Sequence, residues 1–491
     1  MPPPWVLSRH RARVLDPATA PTVAEVRGVR PTVYVGNRLL VSPDAADRVL
    51  ALLKRNADGL GWELEVSRGP GVARVDLAVR SGLATPAPDG WTLLQAARAQ
   101  HGVEALRGVA LDHLLSVHPG VEANPFHMSH PFHMSHPFHM SHGAGGALTS
   151  YASAGFGGRQ PVAVAGPPPA RTDHLPRRRP VVAVLDTGCA AHPWLDGAVR
   201  TGVSIDSAVV GMAEAADDPE LHGDLVGPLD GGLDSASGHG TFVAGLVHQG
   251  CPDADILAVR VVHSDGVVVE SELLDALAAL AELARRAVDG HPDGQPDGQP
   301  IDVVNLSMGY YHETPQDVLF DSTMLSLLRQ LGELGIAVVV SAGNDATARP
   351  MFPAAFAPFP GGPPTDPARV PVTTVGALNP DGSVALFNNA GPWVSVWRPG
   401  AAVVSTMPAY GGGGEPQART SVQGQQRESI DPDDFGGGFA VWSGTSFSAP
   451  LLAGQLAQGL LRVGVPDEGS ARPDRVGRMR KVLAKVAGLE S

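Results

Sequence analysis

Cysteine, positive charge and long apolar runs are scarce in this sequence, and each scarcity excludes a class of protein. The 491 residues include two cysteines, which excludes a disulfide-rich scaffold and a cysteine-based zinc cluster but leaves one bridge open. No run of about 18 apolar residues occurs, so we expect no membrane span. Because Met1 to Asp16 contains no apolar run of roughly 7–15 residues, we expect a cytoplasmic protein, with secretion as the alternative.

The charge is acidic and unevenly distributed. The chain has 36 Lys and Arg against 50 Asp and Glu, a formal net charge of −14, which argues against nucleic acid as the main partner. Residues 1–150 carry a net charge of +2, and the remaining 341 residues carry −16. Hydrophobic residues make up 43% of the chain, so most of it should fold, whereas 59 Gly and 45 Pro indicate many loops and a linker.

After an N-terminal extension over 1–30, the alternation of short elements predicts a small α+β domain over 31–117. Strand-like and helix-like segments follow one another in the order βαββαβ, which is typical of a ferredoxin-like sandwich. The segments are 32–41 (strand), 43–57 (helix), 62–66 and 72–79 (hairpin), 91–101 (helix) and a last apolar run at 109–117.

Residues 118–178 have the composition of a flexible tether. They contain a perfect triplicate of Pro-Phe-His-Met-Ser-His at 125–142, followed by Gly-, Ala- and Pro-rich sequence. The repeat places histidine at every third position, namely His127, His130, His133, His136, His139 and His142. Metal capture is one interpretation; tandem duplication in an unstructured segment is the interpretation we favour, and no metal is assigned.

The third part, 179–491, has the pattern of an α/β domain. Apolar strand-like runs at 181–186, 256–262, 303–308 and 336–343 alternate with helical segments. Continuous apolar strands between helices predict a parallel sheet covered on both faces. Ligands of such sheets bind at the carboxyl ends of the strands, where we therefore expect the chemistry.

Three polar motifs occur at predicted element boundaries in this part. They are Asp186-Thr187-Gly188, Gly238-His239-Gly240-Thr241 and Gly444-Thr445-Ser446. Each alone has a structural explanation, as a turn, a helix start or an N-cap. Their joint occurrence in the order Asp, His, Ser makes that explanation improbable.

These motifs resemble those of the subtilisin family (subtilases, S8-type serine proteases). The resemblance covers about 180–465 and rests on VAVLDTG, GHGTFVAGL, DVVNLSMG, VVVSAGN, FPAAF and GTSFSAP, all in family order. It implies a subtilisin-like domain with a parallel sheet between helices, preceded here by the ferredoxin-like domain. It also implies a serine endopeptidase that hydrolyses protein or peptide substrates.

The resemblance assigns roles to four residues. Ser446 is the implied nucleophile, His239 the general acid and base, and Asp186 the group that orients His239. Asn344 matches the side-chain donor of the oxyanion hole, with the Ser446 N–H as the second donor. No cofactor is required. Calcium is common in the family, but no calcium loop matches residue by residue, so no metal is assigned.

Two segments resemble the walls of the substrate cleft. Ser307, Met308 and Gly309 match the strand edge that pairs with an extended peptide, and Ala342 and Gly343 match the floor of the pocket before the cut. Without the triad, both would be interpreted as ordinary buried strand ends.

Two motif positions and several loops depart from the family pattern. Phe242 stands where many relatives have a second histidine, and Trp442 stands where a smaller residue is common. The spans 187–238 and 407–440 are longer than the family core needs. Asp431, Asp433 and Asp434 could form an acidic rim on the cleft, but we favour a solvated loop.

The front domain matches the family's inhibitory prosegment in element order. The resemblance implies an intramolecular inhibitor that is removed by a cut between 118 and 178. The alternative is a recognition module that stays attached. For the whole chain, the alternatives to a general endopeptidase are a processing protease for one partner peptide and a pseudoprotease that binds without cleaving.

Overall fold

The architecture described here is that of a computed structural model. It describes residues 2–117, 151, 157–227, 229, 231–289, 298–314, 322–410, 419–428, 435–467 and 469–489. The PFHMSH repeats and the acidic loop residues Asp431, Asp433 and Asp434 lie outside these ranges.

The N-terminal unit consists of a mixed set of short elements that run β-α-β-β-α-β after a brief leading segment. The leading segment comprises α1 (Pro4–Arg9) and β1 (Ala12–Val14). The main elements are β2 (Val33–Val41), α2 (Ala46–Gly59), β3 (Trp62–Arg68), β4 (Ala73–Val79), α3 (Gly90–His101) and β5 (Val109–Val117). Each main element overlaps the segment expected from the sequence pattern.

These strands form an antiparallel sheet in the order β5-β2-β4-β3, with β1 paired to the first residues of β2. The helices cover one face, where Leu53 of α2 and Leu94 of α3 pack with Leu39, Val75 and other apolar side chains. Asp89 begins α3 by accepting a hydrogen bond from the Thr92 N–H, which satisfies one of the unpaired donors at a helix start.

The larger unit contains a parallel sheet with helices on both faces. Its strands are β7 (Val181–Asp186), β8 (Val199–Arg200), β11 (Asp255–Arg260), β13 (Val303–Leu306), β15 (Ala337–Ser341), β16 (Thr373–Leu378) and β17 (Val396–Pro399). The spatial order is β17-β16-β15-β13-β7-β11-β8, with every pairing parallel. This is the sheet that the continuous apolar runs predict.

Alternate residues of β7 contribute to two different cores. Val182 and Val184 face helices α4 (His239–Gly250) and α7 (Thr445–Val463), whereas Ala183 and Leu185 face α5 (Glu270–Asp289) and α6 (Ser322–Glu333). Because successive side chains of a strand point to opposite faces, a strand buried on both faces is apolar at every position. A last helix, α8 (Arg472–Ala487), packs against α7.

Shorter strands complete the larger unit. They are β6 (Gln160–Pro161), β9 (Ser204–Ile205), β10 (Ala208–Val209), β12 (Val267–Val269), β14 (Met308–Gly309), β18 (Val403–Thr406), β19 (Arg419–Val422), β20 (Gln425–Glu428) and β21 (Phe439–Trp442). Two of them, β12 and β14, belong to the sheet of the N-terminal unit, because both pair with β5.

The two units share one continuous interface along the uncovered face of the N-terminal sheet. Leu40 and Leu115 of that face pack in one core with Leu273 and Leu277 of α5. Buried polar groups of the interface are paired as well, because Asp112 accepts bonds at 2.9 Å from both the backbone N–H and the hydroxyl of Ser271 in the first turn of α5. Helix α5 therefore covers sheets of both units.

The segment expected as a tether is partly packed on the larger unit. Strand β6 pairs antiparallel with β21, and Arg178 forms a two-point ion pair with Asp302 at 2.7 Å for both contacts. Ion pairs and strand pairing fix residues 157–178, so the expectation of a tether that extends to 178 needs correction at this end. Composition alone did not predict the docking, because the arginines that achieve it are spread through a Pro-rich stretch.

Within the described ranges, no helix combines the length and the apolar character needed to cross a bilayer.

Arg178→Ala should destabilise the protein by about 3 kcal/mol. The substitution leaves the Asp302 carboxylate, whose side chain is 2% exposed, with one hydrogen bond from the Val181 N–H at 2.9 Å and, as counter-charge, the more distant Arg475 guanidinium at 3.8 Å. Arg177→Ala is the matched control, because its partner Asp467 is 67% exposed and such surface pairs contribute at most about 1 kcal/mol. Urea unfolding of both variants measures the difference, and equal losses would contradict the docking role of Arg178.

Candidate active site

Asp186 is the last residue of β7, at the carboxyl end of the parallel sheet. Its Oδ1 accepts a hydrogen bond from the Thr187 backbone N–H at 2.8 Å and lies 2.7 Å from Nδ1 of His239. Both side chains are buried. A proton on Nδ1 that faces the carboxylate leaves Nε2 as the acceptor nitrogen of a neutral imidazole.

His239 is the first residue of α4. Gly238 before it has φ +80°, a backbone conformation that glycine adopts without strain, and Gly240 after it lies against the carbonyl of Gly188. A Cβ atom at Gly240 would approach that oxygen to 2.1 Å, so a side chain there would push the helix start away from the Asp186 turn. Nε2 of His239 is buried and has no hydrogen-bond partner among the described residues.

Ser446 lies in the first turn of α7, which packs against α4 across the same core. The ring of the next residue, Phe447, is 5.3 Å from the His239 ring. The backbone carbonyl of Ser446 accepts a hydrogen bond at 2.9 Å from the Ser307 hydroxyl, and its own Oγ lies 3.4 Å from the Ser307 carbonyl. The helix start that carries Ser446 is thus joined to the end of β13.

Asn344 follows β15, the neighbour of β13 in the sheet. Its Oδ1 accepts two hydrogen bonds from Thr445, at 2.9 Å from both the backbone N–H and the hydroxyl. The Thr445 hydroxyl also lies 3.0 Å from the N–H of Gly343 and accepts its hydrogen bond. These bonds hold the Asn344 carboxamide beside the Ser446 turn and turn its Nδ2 donor away from Thr445.

Phe242 and Trp442, the two departures from the family motifs, share one aromatic cluster with Phe447. The rings of Phe242 and Phe447 are 4.5 Å apart, and the Trp442 ring lies 5.8 Å from the His239 ring at an interplanar angle of 82°. Edge-to-face contacts of this kind are favourable beyond the area they bury. Trp442 and Phe447 contact the His239 ring, and Phe242 packs against both of them.

The expected substrate edge is paired with the N-terminal unit. Met308 and Gly309 of β14 pair antiparallel with Val117 and Ser116 of β5, and β12 pairs with β5 from the other side. The Val117 N–H also donates to the Gly266 carbonyl at 3.1 Å. The last residues of β5 therefore occupy an extended position between two strands of the larger unit.

The expected pocket floor at Ala342 and Gly343 is tightly packed. The Ala342 N–H donates to the Val375 carbonyl at 3.0 Å, which continues the sheet. Gly343 has φ +101°, and a Cβ atom there would approach Nδ2 of Asn389 to 2.2 Å. A side chain at this position would be strained and would collide with its neighbours.

Glu220 joins the Asp186 and His239 motifs, and sequence reasoning missed it. Its buried carboxylate accepts hydrogen bonds from the Thr187 hydroxyl, the Gly240 N–H at 2.9 Å and the Thr241 hydroxyl. Burial raises the pKa of Glu220 to about 7, against the opposing effect of the Thr187 and Thr241 hydroxyls. Glu220 lies in the long 187–238 loop among several other acidic residues, and nothing in its spacing sets it apart from them.

Calcium does not fit the described metal-ligating side chains. The group close enough to hold one ion consists of His113, His312 and Glu313, which offers two imidazoles and one carboxylate. Calcium takes six to eight oxygen ligands. This group of side chains therefore does not suit calcium.

Cys189 and Cys251 are free thiols, so the single bridge left open by the sequence is not formed. Burial raises the pKa of Cys251 to about 12 and raises the pKa of Cys189 as well. Both thiols therefore remain protonated near neutral pH, as expected of side chains that only pack.

The fold and this site define an α/β protein with Asp, His and Ser motifs at strand and helix ends. Residues 177–463, more than half of the chain, match the model of the Subtilase family, and the chain belongs to that family.

Three relatives illustrate the family. The chain is 27% identical over 278 residues to "Thermophilic serine proteinase" of Bacillus sp. (strain AK1), covering 56% of this chain and 51% of that protein. It is 26% identical over 286 residues to "Intracellular serine protease" of Paenibacillus polymyxa, covering 56% and 65%. It is 25% identical over 279 residues to "Subtilisin E" of Bacillus subtilis (strain 168), covering 56% and 54%. The match thus spans about half to two thirds of these relatives.

Glu220→Gln should flatten the pH dependence of stability. A folded-state pKa of about 7 exceeds the usual 4.5, so the contribution of Glu220 is fully present below pH of about 4.5 and is lost as pH rises through 7. Thermal unfolding from pH 4 to 8, in the Ser446→Ala chain to prevent self-digestion, measures this slope. The exposed Glu63→Gln is the control, and an unchanged slope in Glu220→Gln would contradict the buried titration.

Proposed function

We propose that this protein is a serine endopeptidase in which Asp186, His239 and Ser446 act as the catalytic triad. The observation that carries the proposal is the buried 2.7 Å contact between Asp186 and Nδ1 of His239. The His239 ring also contacts Phe447, the residue that follows Ser446. Membership of the Subtilase family supports the same assignment.

The proposed reaction starts with Ser446, because a serine hydroxyl is a poor nucleophile until a base removes its proton during attack. His239 Nε2 takes that proton and returns it to the leaving amine, and water then hydrolyses the acyl-enzyme with the same base. The Asp186 carboxylate keeps the imidazole in the tautomer with Nδ1 protonated and stabilises the imidazolium.

In this proposal, Glu220 is a positioning residue. Its carboxylate connects Thr187 after Asp186 with Gly240 and Thr241 after His239, so it fixes the two motifs relative to each other. No described hydrogen bond joins Glu220 to the His239 imidazole or to the Ser446 hydroxyl.

The proposed oxyanion hole combines the Asn344 side chain with the backbone N–H of Ser446. Two bonds from Thr445 to Oδ1 orient the Asn344 carboxamide, so its Nδ2 faces away from Thr445 and is the donor that we propose for substrate. A donor fixed before the reaction stabilises the developing negative charge without reorganisation.

We further propose that the N-terminal unit is an inhibitory prosegment of ferredoxin-like type. The supporting observation is that Val117 and Ser116 pair with Met308 and Gly309. Those two residues belong to the strand edge that we expect to hold substrate. Ser307, the first residue of the expected edge, is not paired with β5 in the described register, and its carbonyl is 3.4 Å from Ser446 Oγ. A strand that occupies this edge excludes other peptides from it.

Ser446→Ala should lower turnover by about a millionfold, which is the loss that removal of the serine causes in subtilisin. Asn344→Ala should lower turnover by roughly a hundred- to thousandfold, chiefly in kcat, because it removes one donor of the oxyanion hole. Peptide hydrolysis by the processed enzyme measures both, and fluorophosphonate labelling reports Ser446 directly. Ser421→Ala, at an exposed position, and Asn379→Ala, at a half-buried one, are the controls. Full labelling of the Ser446→Ala chain would refute the triad, and a folded wild type that takes no label would favour a pseudoprotease.

Self-cleavage should occur within a few residues after Val117, because Val117 pairs with Met308, the neighbour of Ser307, whose carbonyl is 3.4 Å from Ser446 Oγ. Residues from 157 onward are packed on the larger unit, so a cut beyond them is not expected. Intact mass after expression should reveal two fragments for wild type and one chain for Ser446→Ala. A wild type that stays full length and active would contradict inhibition and favour the recognition module.

A further inference from the structure

A cluster of imidazole and carboxylate groups lies where the two units meet. His113 comes from β5 of the N-terminal unit, Glu270 begins α5, and His312 and Glu313 follow β14. All four side chains are buried, and none exceeds 3% side-chain exposure. We propose that His113, His312 and Glu313 bind a divalent transition-metal ion of the zinc class that joins the two units.

The spacing of the ligand atoms suits a single ion. Each of the three residues offers one ligand atom, and these three atoms all lie within 4.8 Å of one another. Nε2 of His113 is 2.7 Å from Glu313 Oε2, and Nδ1 of His312 is 3.3 Å from the same oxygen. Ligands around tetrahedral zinc are about 3.3 Å apart, given bonds of about 2.0–2.2 Å, so small side-chain rotations would complete the geometry.

The donor set selects the class of metal. Two imidazoles and one carboxylate form a common zinc-binding combination, whereas calcium and magnesium prefer oxygen alone. Three protein ligands leave a fourth position for water.

Glu270 supplies the supporting contact that metal-bound histidines usually have. Its Oε2 lies 2.6 Å from Nδ1 of His113, which fixes the proton on that nitrogen and directs Nε2 toward Glu313. A carboxylate behind a ligating histidine orients the ring and strengthens it as a donor. The Tyr310 ring stacks on His113 with centroids 4.4 Å apart and covers the cluster.

Charge balance favours an ion at this position. Glu270 and Glu313 are two buried carboxylates whose described ion pairs are with imidazoles, His113 for both and His312 for Glu313. Buried charges need compensation, and one divalent cation balances both carboxylates while the imidazoles stay neutral. The alternative is that the imidazoles are protonated and compensate the charge of the two carboxylates without a metal ion.

The site requires both units, because His113 belongs to the N-terminal unit and the other two ligands belong to the larger one. A bound ion would therefore hold β5 between β12 and β14, and separation of the units would release it. The inference does not depend on the proposed hydrolysis, since an inactive chain retains every ligand.

The test uses the full-length Ser446→Ala chain in which the six repeat histidines are replaced by serine, so that they bind no metal. After incubation with ZnCl₂ and dialysis, elemental analysis should find one zinc per chain in this parent. His113→Gln and His312→Gln should lose it, and Glu270→Gln should bind zinc about 10- to 100-fold more weakly. His101→Gln, a half-buried histidine of α3, is the matched control and should retain it.

Two readouts separate binding from folding. Co²⁺ should give the visible absorption of a low-coordinate site in the parent and in His101→Gln but not in His312→Gln. Zinc should raise the Tm of the parent and leave that of His312→Gln unchanged. If His113→Gln does not fold, His312→Gln decides the question. The proposal would be overturned if the parent bound no zinc, or if the parent and His312→Gln contained equal zinc. Protonated imidazoles would then compensate the buried carboxylates.

Discussion

The parallel pairing of β7 with β11 and β13 is the constraint on which the candidate active site depends. Parallel strands end at the same edge of a sheet, so Asp186 at the end of β7 and Ser307 after β13 are brought to one edge. Helices α4 and α7 then begin at that edge and contribute His239 and Ser446. Because β7 is buried on both faces, a shift of its register would disturb two cores at once. The rigidity of the site thus derives from the sheet.

The same sheet edge explains why the N-terminal unit docks where it does. The last residues of β5 extend beyond its pairing with β2, so both of their edges are open, and β12 and β14 pair with them from the two sides. Pairing β5 with both leaves fewer backbone groups unpaired, and Leu115 enters the core beside α5. Inhibition and docking would then be one event, since the pairing that buries Leu115 also fills the edge expected to bind substrate.

Much of the fold followed from periodicity, whereas contacts between distant segments did not. Apolar runs predicted β7 and β13 because strands covered on both faces need apolar side chains at every position. The motifs around Asp186, His239 and Ser446 were recognised as a set. Glu220 was missed, because its importance comes from hydrogen bonds to two motifs and its own loop has no periodic pattern. Arg178 was missed for a related reason, since its partner Asp302 lies 124 residues further along the chain.

His113 illustrates how a local anomaly in a sequence can point to a distant site. It follows Asp112 within the otherwise apolar run of β5, and a polar pair in a strand with 0% exposure at both positions must find partners. The sequence could identify that requirement but not the partners, because Ser271 and Glu270 become neighbours only after the two units dock. Burial of such groups is costly without compensation, so the interface is stable only when every partner is in place. That condition makes docking specific to this one arrangement, which an apolar surface alone would not ensure.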